Sequence, residues 1–127
     1  MLVIVEDEQR DLKTAARVLS RVGRRFKVFD DASRVIQFLD EVRAGFLSKP
    51  EAIILDLNLR KGSGQDVLAA LRREPELENI PVIVWTGSDD PTQSDICIFL
   101  GAREVLLKTE NGQELKDAVS RLREPAH

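Results

Sequence analysis

The sequence predicts a doubly wound α/β fold, in which a parallel sheet carries helices on both faces. Short apolar runs rich in β-branched residues alternate with longer runs of helical spacing. The short runs are apolar throughout, which is typical of strands that are covered on both sides. Five such strand–helix units in 127 residues fit the flavodoxin-like arrangement with strand order 2-1-3-4-5.

The elements follow one another in strict alternation. Strands are expected at 2–5, 26–29, 52–55, 80–85 and 105–107, and helices at 9–22, 33–46, 64–73, 91–100 and 112–123. Gly23, Gly45 and Gly101 mark helix ends. Pro91 suits the first turn of the fourth helix, with Asp89 or Asp90 as its cap, and Asn111 or Gly112 opens the fifth. A frayed tail is expected at 124–127.

Composition narrows the class of protein. The length suits one domain over residues 1–127. A net charge of -3 with interspersed signs argues against a general nucleic-acid or membrane surface, so the expected partner is a protein or a small ion. Cys97 is the only cysteine, and no run has the features of a signal peptide or membrane span. We therefore expect a cytoplasmic setting.

Polar residues stand where four of the strands end. The first strand ends in Glu6-Asp7-Glu8, the third in Asp56, the fourth in Thr86-Gly87 and the fifth in Lys108. Ligands of such sheets bind outside the carboxyl ends of the strands, near the point where the winding reverses. The fold is thus expected to bring these side chains to one edge.

That set of groups indicates phosphoryl-transfer chemistry. Crowded carboxylates repel, and their pKa values rise unless a cation neutralises them. Mg²⁺ answers that need, because it takes carboxylate oxygens and accepts phosphate oxygens. Lys108 offers a positive charge to Asp56 or to a phosphoryl oxygen, and Thr86 offers a hydroxyl. A carboxylate nucleophile is the chemistry that these parts favour.

Four motifs in order carry a resemblance over essentially the whole chain. They are VIVEDE at 3–8, IILDLNL at 53–59 with Gly64 eight residues beyond Asp56, VIVWTG at 82–87 and GAREVLLK at 101–108. The chain resembles a CheY-like receiver domain of the bacterial response regulators. The resemblance implies that Asp56 is the phosphoacceptor, and that Glu6, Asp7, Asp56 and the backbone carbonyl of Asn58 bind the metal. It further implies that Thr86 and Lys108 bind phosphoryl oxygens.

The resemblance also implies the partners. The phosphoryl donor is expected to be a sensor histidine kinase or a histidine phosphotransfer protein, or a small donor such as acetyl phosphate. The downstream protein is expected to bind the surface at 91–123, with no direct contact to nucleic acid or membrane. The chain would be a monomer or a phosphorylation-dependent dimer, and its only chemistry would be its own phosphorylation and dephosphorylation.

Three positions depart from the family pattern. Thr109 follows the lysine where a cis-linked proline is common, which leaves open whether the Lys108–Thr109 bond is cis. Val105 stands where the family usually has an aromatic residue that reports phosphorylation, so an atypical output switch through Thr86 and Val105 is expected. Arg60 stands where proline is frequent, and Arg60-Lys61 could attract an anionic donor.

Other interpretations remain open. A receiver-like interaction module that needs no phosphate is the main alternative. A phosphohydrolase with an Asp nucleophile is less favoured, because such enzymes usually place a second Asp where this chain has Asn58. The acidic run at 6–8 could simply favour the positive end of the following helix, and Trp85 is expected to pack in the core.

Overall fold

The ten predicted elements are all present in the computed structural model, which describes residues 1–122. The strands are β1 (Leu2–Val5), β2 (Phe26–Phe29), β3 (Ile53–Leu55), β4 (Val82–Thr86) and β5 (Glu104–Leu107). The helices are α1 (Gln9–Arg21), α2 (Ala32–Arg43), α3 (Gly64–Arg73), α4 (Pro91–Phe99) and α5 (Gln113–Ser120). α5 ends at Ser120, short of the predicted end at 123, and the predicted frayed tail at 124–127 lies outside the described residues.

Element ends differ from the prediction by a few residues. β4 begins at Val82 rather than at 80, because Pro81 has no backbone N–H to give to the ladder. α2 ends at Arg43 rather than at 46, and Gly45 follows it with φ 87°, a left-handed conformation that favours glycine. Asp90 rather than Asp89 caps α4, since its side chain accepts from the Thr92 N–H at 3.0 Å.

The strands form one parallel sheet in the order β2-β1-β3-β4-β5, as predicted. β1 and β3 lie side by side at the point where the winding reverses, with Val5 beside Leu55. The acidic residues that follow these two strands are therefore neighbours. β2 and β5 are the edge strands and remain partly exposed, unlike the three strands between them.

Helices cover both faces of the sheet. On one face α2, α3 and α4 pack on the sheet through buried side chains that include Val35, Leu39, Val67, Leu68 and Cys97. On the other face the core between the sheet and helices α1 and α5 includes Leu19, Trp85, Leu115 and Val119. α4 is the least deeply seated of these helices, because Cys97 is its one buried residue. In the described part of the chain, no helix has the length and apolar character to cross a membrane.

Candidate functional site

The start of α1 and the residues that follow β3, β4 and β5 surround an open cavity of about 750 Å³. Its lining is mainly polar and comprises Arg10, Asp11, Thr14, Asp56, Asn58, Gly87, Lys108, Thr109 and Glu110. The cavity is therefore suited to an ionic ligand rather than to an apolar one.

Three carboxylates meet beside this cavity. Glu6, Asp7 and Asp56 each place one oxygen so that all three oxygens lie within 4.8 Å of one another. The loop after β3 is tied to the same group, because the Arg60 N–H donates to Asp7 Oδ2 at 2.6 Å. A proline at position 60 could not make this bond. Thus the departure at Arg60 gives Asp7 a backbone partner.

Glu6 is fully buried and has both oxygens engaged. Oε2 accepts the N–H groups of Asp7 and Glu8 at 3.1 and 3.2 Å, while Oε1 contacts Lys108 Nζ at 2.7 Å. Burial raises the pKa of Glu6 to about 7, with Lys108 opposing the rise and Asp56 adding to it. Such a buried carboxylate is stabilised in its charged form by any cation that joins the cluster.

Lys108 joins these carboxylates from the end of β5. Its Nζ lies 2.7 Å from Glu6, 2.7 Å from Asp11 and 3.3 Å from Asp56. Burial alone would lower the pKa of Lys108, but the hydrogen bonds to Asp11 and Glu6 raise it above its ordinary value. The ammonium is thus charged at neutral pH. No cis peptide bond occurs among residues 1–122, so the Lys108–Thr109 bond is trans.

Asp56 is buried at the end of β3, with a relative exposure of 6%. Oδ1 accepts the Asn58 N–H at 3.3 Å, and Oδ2 faces Lys108. Gly64 packs against the same turn: a Cβ on it would lie 2.3 Å from the Asp56 carbonyl oxygen and 2.8 Å from the Leu57 Cα. The glycine eight residues beyond Asp56 thus lets α3 begin directly against the backbone of the candidate acceptor.

Two predicted site residues, Thr86 and Val105, are not among the residues that the Lys108 ammonium and the three carboxylates contact. Thr86 is buried at the end of β4, and in the described chain its hydroxyl accepts the Ser88 N–H at 3.2 Å. Val105 lies on β5 beside Val84 and packs half-buried against the core. Because Thr86 is the acceptor in this bond, its hydroxyl proton can still be donated to a phosphoryl oxygen.

Two acids of the site were not predicted from the sequence. Asp11, in the first turn of α1, contacts Lys108, and Glu114, in the first turn of α5, accepts from the Trp85 Nε1–H at 2.7 Å. Burial would raise the pKa of Glu114, yet hydrogen bonds from Thr109 and Trp85 hold it below the ordinary value. An available signal was that each acid opens a helix directly after a strand end that carries a site residue. Trp85 is buried in the core, as predicted.

Comparison with known proteins agrees with this geometry. The family model described as the response regulator receiver domain matches residues 2–120. The chain belongs to the response regulator receiver family. Receiver domains of this family are signalling modules of two-component systems that interact with histidine kinases or phosphotransfer proteins and with downstream partners.

The relatives of this receiver domain include solved structures. Response regulator Rcp1 of Synechocystis sp. is 30% identical over 118 residues, which are 91% of this chain and 80% of Rcp1. The Mn²⁺-bound form of Rcp1 superposes with a TM-score of 0.82 at 27% identity, covering 98% of each chain. The phosphorylated cyanobacterial phytochrome response regulator RcpA gives a TM-score of 0.80 at 27% identity, covering 93% of this chain and 86% of RcpA.

Proposed function

We propose that residues 1–127 form a single receiver domain that accepts a phosphoryl group on Asp56 and then signals through contact with another protein. The donor is a phosphohistidine on a sensor histidine kinase or a phosphotransfer protein, and acetyl phosphate can replace it. A cytoplasmic location is part of the proposal, since a lone thiol such as Cys97 stays reduced there.

One observation carries the proposal: a buried carboxylate, Asp56, opens to a polar cavity between a charged lysine and two further carboxylates. A carboxylate that is buried at the end of a strand costs free energy unless it is paired with a cation or a hydrogen-bond donor. Here Lys108 Nζ lies 3.3 Å from Oδ2 and the Asn58 N–H donates to Oδ1 at 3.3 Å, so Asp56 is paired and a carboxylate oxygen can serve as nucleophile. The phosphorylated form of RcpA is a precedent among similar proteins.

The reaction is a displacement at phosphorus. An Asp56 carboxylate oxygen forms the new P–O bond while the P–N bond of the phosphohistidine breaks. The electron pair of that bond returns to the imidazole, which leaves neutral if its other nitrogen carries a proton. With acetyl phosphate the P–O bond to the acetyl group breaks and acetate leaves. Positioning and charge neutralisation are what the chain itself supplies.

The donor set fits Mg²⁺. It consists of oxygen atoms alone, and the three carboxylate oxygens of Glu6, Asp7 and Asp56 are close enough to share one ion. We assign these three residues and the backbone carbonyl of Asn58 to the metal. When bound, the ion neutralises the clustered carboxylates and the negative charge of the phosphoryl group. The Mn²⁺-bound form of Rcp1 shows that a relative binds a divalent cation, which supports this assignment.

Lys108 and Thr86 receive the phosphoryl oxygens in this proposal. Lys108 already contacts Asp56, so its ammonium is within reach of a group attached there. Thr86 can accept from the Ser88 N–H and at the same time donate its hydroxyl proton to the phosphoryl group. Val105 has no aromatic ring that could move between a buried and an exposed position. We therefore expect the output step to depend on rearrangement of the loop that follows Thr86.

The partner surface is assigned to the face that α4, β5 and α5 form within 91–123. Ile98, Phe99 and Leu107 are exposed there, with Phe99 82% exposed. Exposed large apolar side chains are a feature of many protein interaction sites. A change in the loop after β4 would reach this face directly, since α4 begins at Pro91.

Two other functions make different forecasts. A phosphate-independent interaction module would bind its partner equally well with Asp56→Asn and without metal. A phosphohydrolase would turn over a phosphate ester many times. Asn58 does not favour the hydrolase, because its position usually carries the second acid of such enzymes.

The deciding experiment is the intact mass after incubation with Mg²⁺ and acetyl phosphate. We expect a gain of one phosphoryl group in the wild type, and no gain in Asp56→Asn or without metal. A folded wild type that gains nothing from acetyl phosphate or from any candidate kinase would refute the proposal and favour the phosphate-independent module.

A further inference from the structure

The Glu114 carboxylate collects three donors at the start of α5. Oε2 accepts the Trp85 Nε1–H at 2.7 Å and the Thr109 N–H at 3.3 Å, and Oε1 accepts the Thr109 hydroxyl. Glu114 thus ties the residue after Lys108 to a buried side chain of β4.

Thr109 makes this arrangement possible. Proline, which the family commonly has at this position, has neither an N–H nor a hydroxyl to donate. The departure at Thr109 therefore removes the stiff ring next to the lysine and supplies two hydrogen bonds to Glu114 in its place. The backbone of Lys108 is also fixed, because its N–H donates to the Thr86 carbonyl at 2.8 Å.

Besides Thr109, Trp85 also links Glu114 with Lys108. Lys108 Nζ lies 5.0 Å from the centroid of the Trp85 ring, a distance at which the ring face attracts a cation. The N–H edge of the same ring is held by Glu114. Glu114 therefore holds one edge of the ring against whose face Lys108 lies.

The geometry points to Glu114 as a positioning residue for Lys108, acting through Thr109 and Trp85. This inference rests on the proposed phosphorylation of Asp56. The carboxylate holds the Lys108–Thr109 segment and the Trp85 ring, so that the ammonium stays beside Asp56 when the phosphoryl group arrives. A simpler role for Glu114 is to place a negative charge at the N-terminus of α5.

Two variants separate these roles. Glu114→Asp keeps the charge at the helix N-terminus but is one methylene too short to keep all three donors. Thr109→Ala removes the hydroxyl while Glu114 stays. Asp117→Asn is the control on the same helix: it removes the charge of an exposed acid of α5, a larger change in charge than Glu114→Asp makes. Urea unfolding establishes that each variant is folded.

The measurement is the rate of phosphoryl gain at Asp56 from acetyl phosphate with saturating Mg²⁺, followed by intact mass. Misplacing a reactive group by a fraction of its contact distance lowers rates strongly, so we expect a slowing of about tenfold in Glu114→Asp and a smaller one in Thr109→Ala. Asp117→Asn should match the wild type. Rates equal to the wild type in both site variants would overturn the inference.

A spectroscopic readout accompanies the rate. The chain has a single tryptophan, so its emission reports Trp85 alone. Phosphorylation gives Lys108 a new partner, and we expect the emission to change in the wild type and to change less in Glu114→Asp at equal phosphorylation. An equal change in both would overturn the inference. If the wild type gains no phosphoryl group, the proposed function itself fails, and that failure is seen before any variant is compared.

Discussion

Replacing Gly64 by alanine should destabilise the receiver domain, although alanine is the better helix former. The added Cβ would lie 2.3 Å from the Asp56 carbonyl oxygen, 2.8 Å from the Leu57 Cα and 3.1 Å from the Asp56 carbonyl carbon. All three are backbone atoms, so no flexible side chain can move aside. Either α3 shifts away from the sheet edge or the turn after β3 deforms.

The size of the effect follows from two opposed terms. Alanine in place of glycine stabilises a helix interior by up to about 1 kcal/mol, and less at a first position such as this one. Forcing an extra carbon into a packed site costs about 1–3 kcal/mol. The net loss should be about 1–2 kcal/mol in the free energy of unfolding. For a chain of this size each kcal/mol lowers Tm by roughly 3–5 °C.

Urea unfolding followed by circular dichroism measures the difference. Gly87→Ala is the matched control, because a Cβ there meets nothing within 4 Å, and it should unfold within about 0.5 kcal/mol of the wild type. A Gly64→Ala variant as stable as that control, or more stable than the wild type, would refute the steric argument.

Three further changes test other contacts. Glu114→Gln should be less stable than the wild type at neutral pH, and the difference should vanish in acid. Hydrogen bonds hold the pKa of Glu114 below its usual 4.5. The carboxylate therefore contributes its full stability above pH 4.5 and loses it as the pH falls through the lowered pKa of the folded state. Thermal melts across pH check this, and a pH-independent gap would contradict it. Asp90→Ala should cost about 1 kcal/mol by urea unfolding, because it removes the cap of α4, while Asp89→Ala should cost little. Asp11→Asn should lower the pKa of Lys108 in an NMR titration, and an unmoved value would show that Asp11 does not stabilise the ammonium.

The fold was predictable because strand and helix signals agree along the whole chain. Apolar runs fix β1, β3 and β4, and single helices between parallel strands leave few topologies. Element ends were less accessible, since they depend on particular backbone bonds. At Pro81, for example, the missing N–H shortens β4, which the apolar run alone does not reveal.

The candidate site was predictable where residues end strands. Glu6, Asp56 and Lys108 follow β1, β3 and β5, and the topology alone brings strand ends together. Asp11 and Glu114 were not predicted, because an acid in the first turn of a helix is already explained by the helix dipole. Their contacts with Lys108 and Trp85 depend on how helices sit on the sheet, which no local pattern encodes.

The buried position of Cys97 makes thiol labelling a measure of how often α4 opens. A thiol reagent in solution can reach this sulfur only when α4 separates from the sheet, and burial also raises the pKa of the Cys97 thiol, so little reactive thiolate forms. Because the chain has no other cysteine, the rate of labelling reports how often α4 separates from the sheet, whether by local opening or by unfolding of the whole domain. The opening rate of α4, which is part of the proposed partner surface, can therefore be compared with and without a phosphoryl group on Asp56. No cysteine has to be introduced for this measurement.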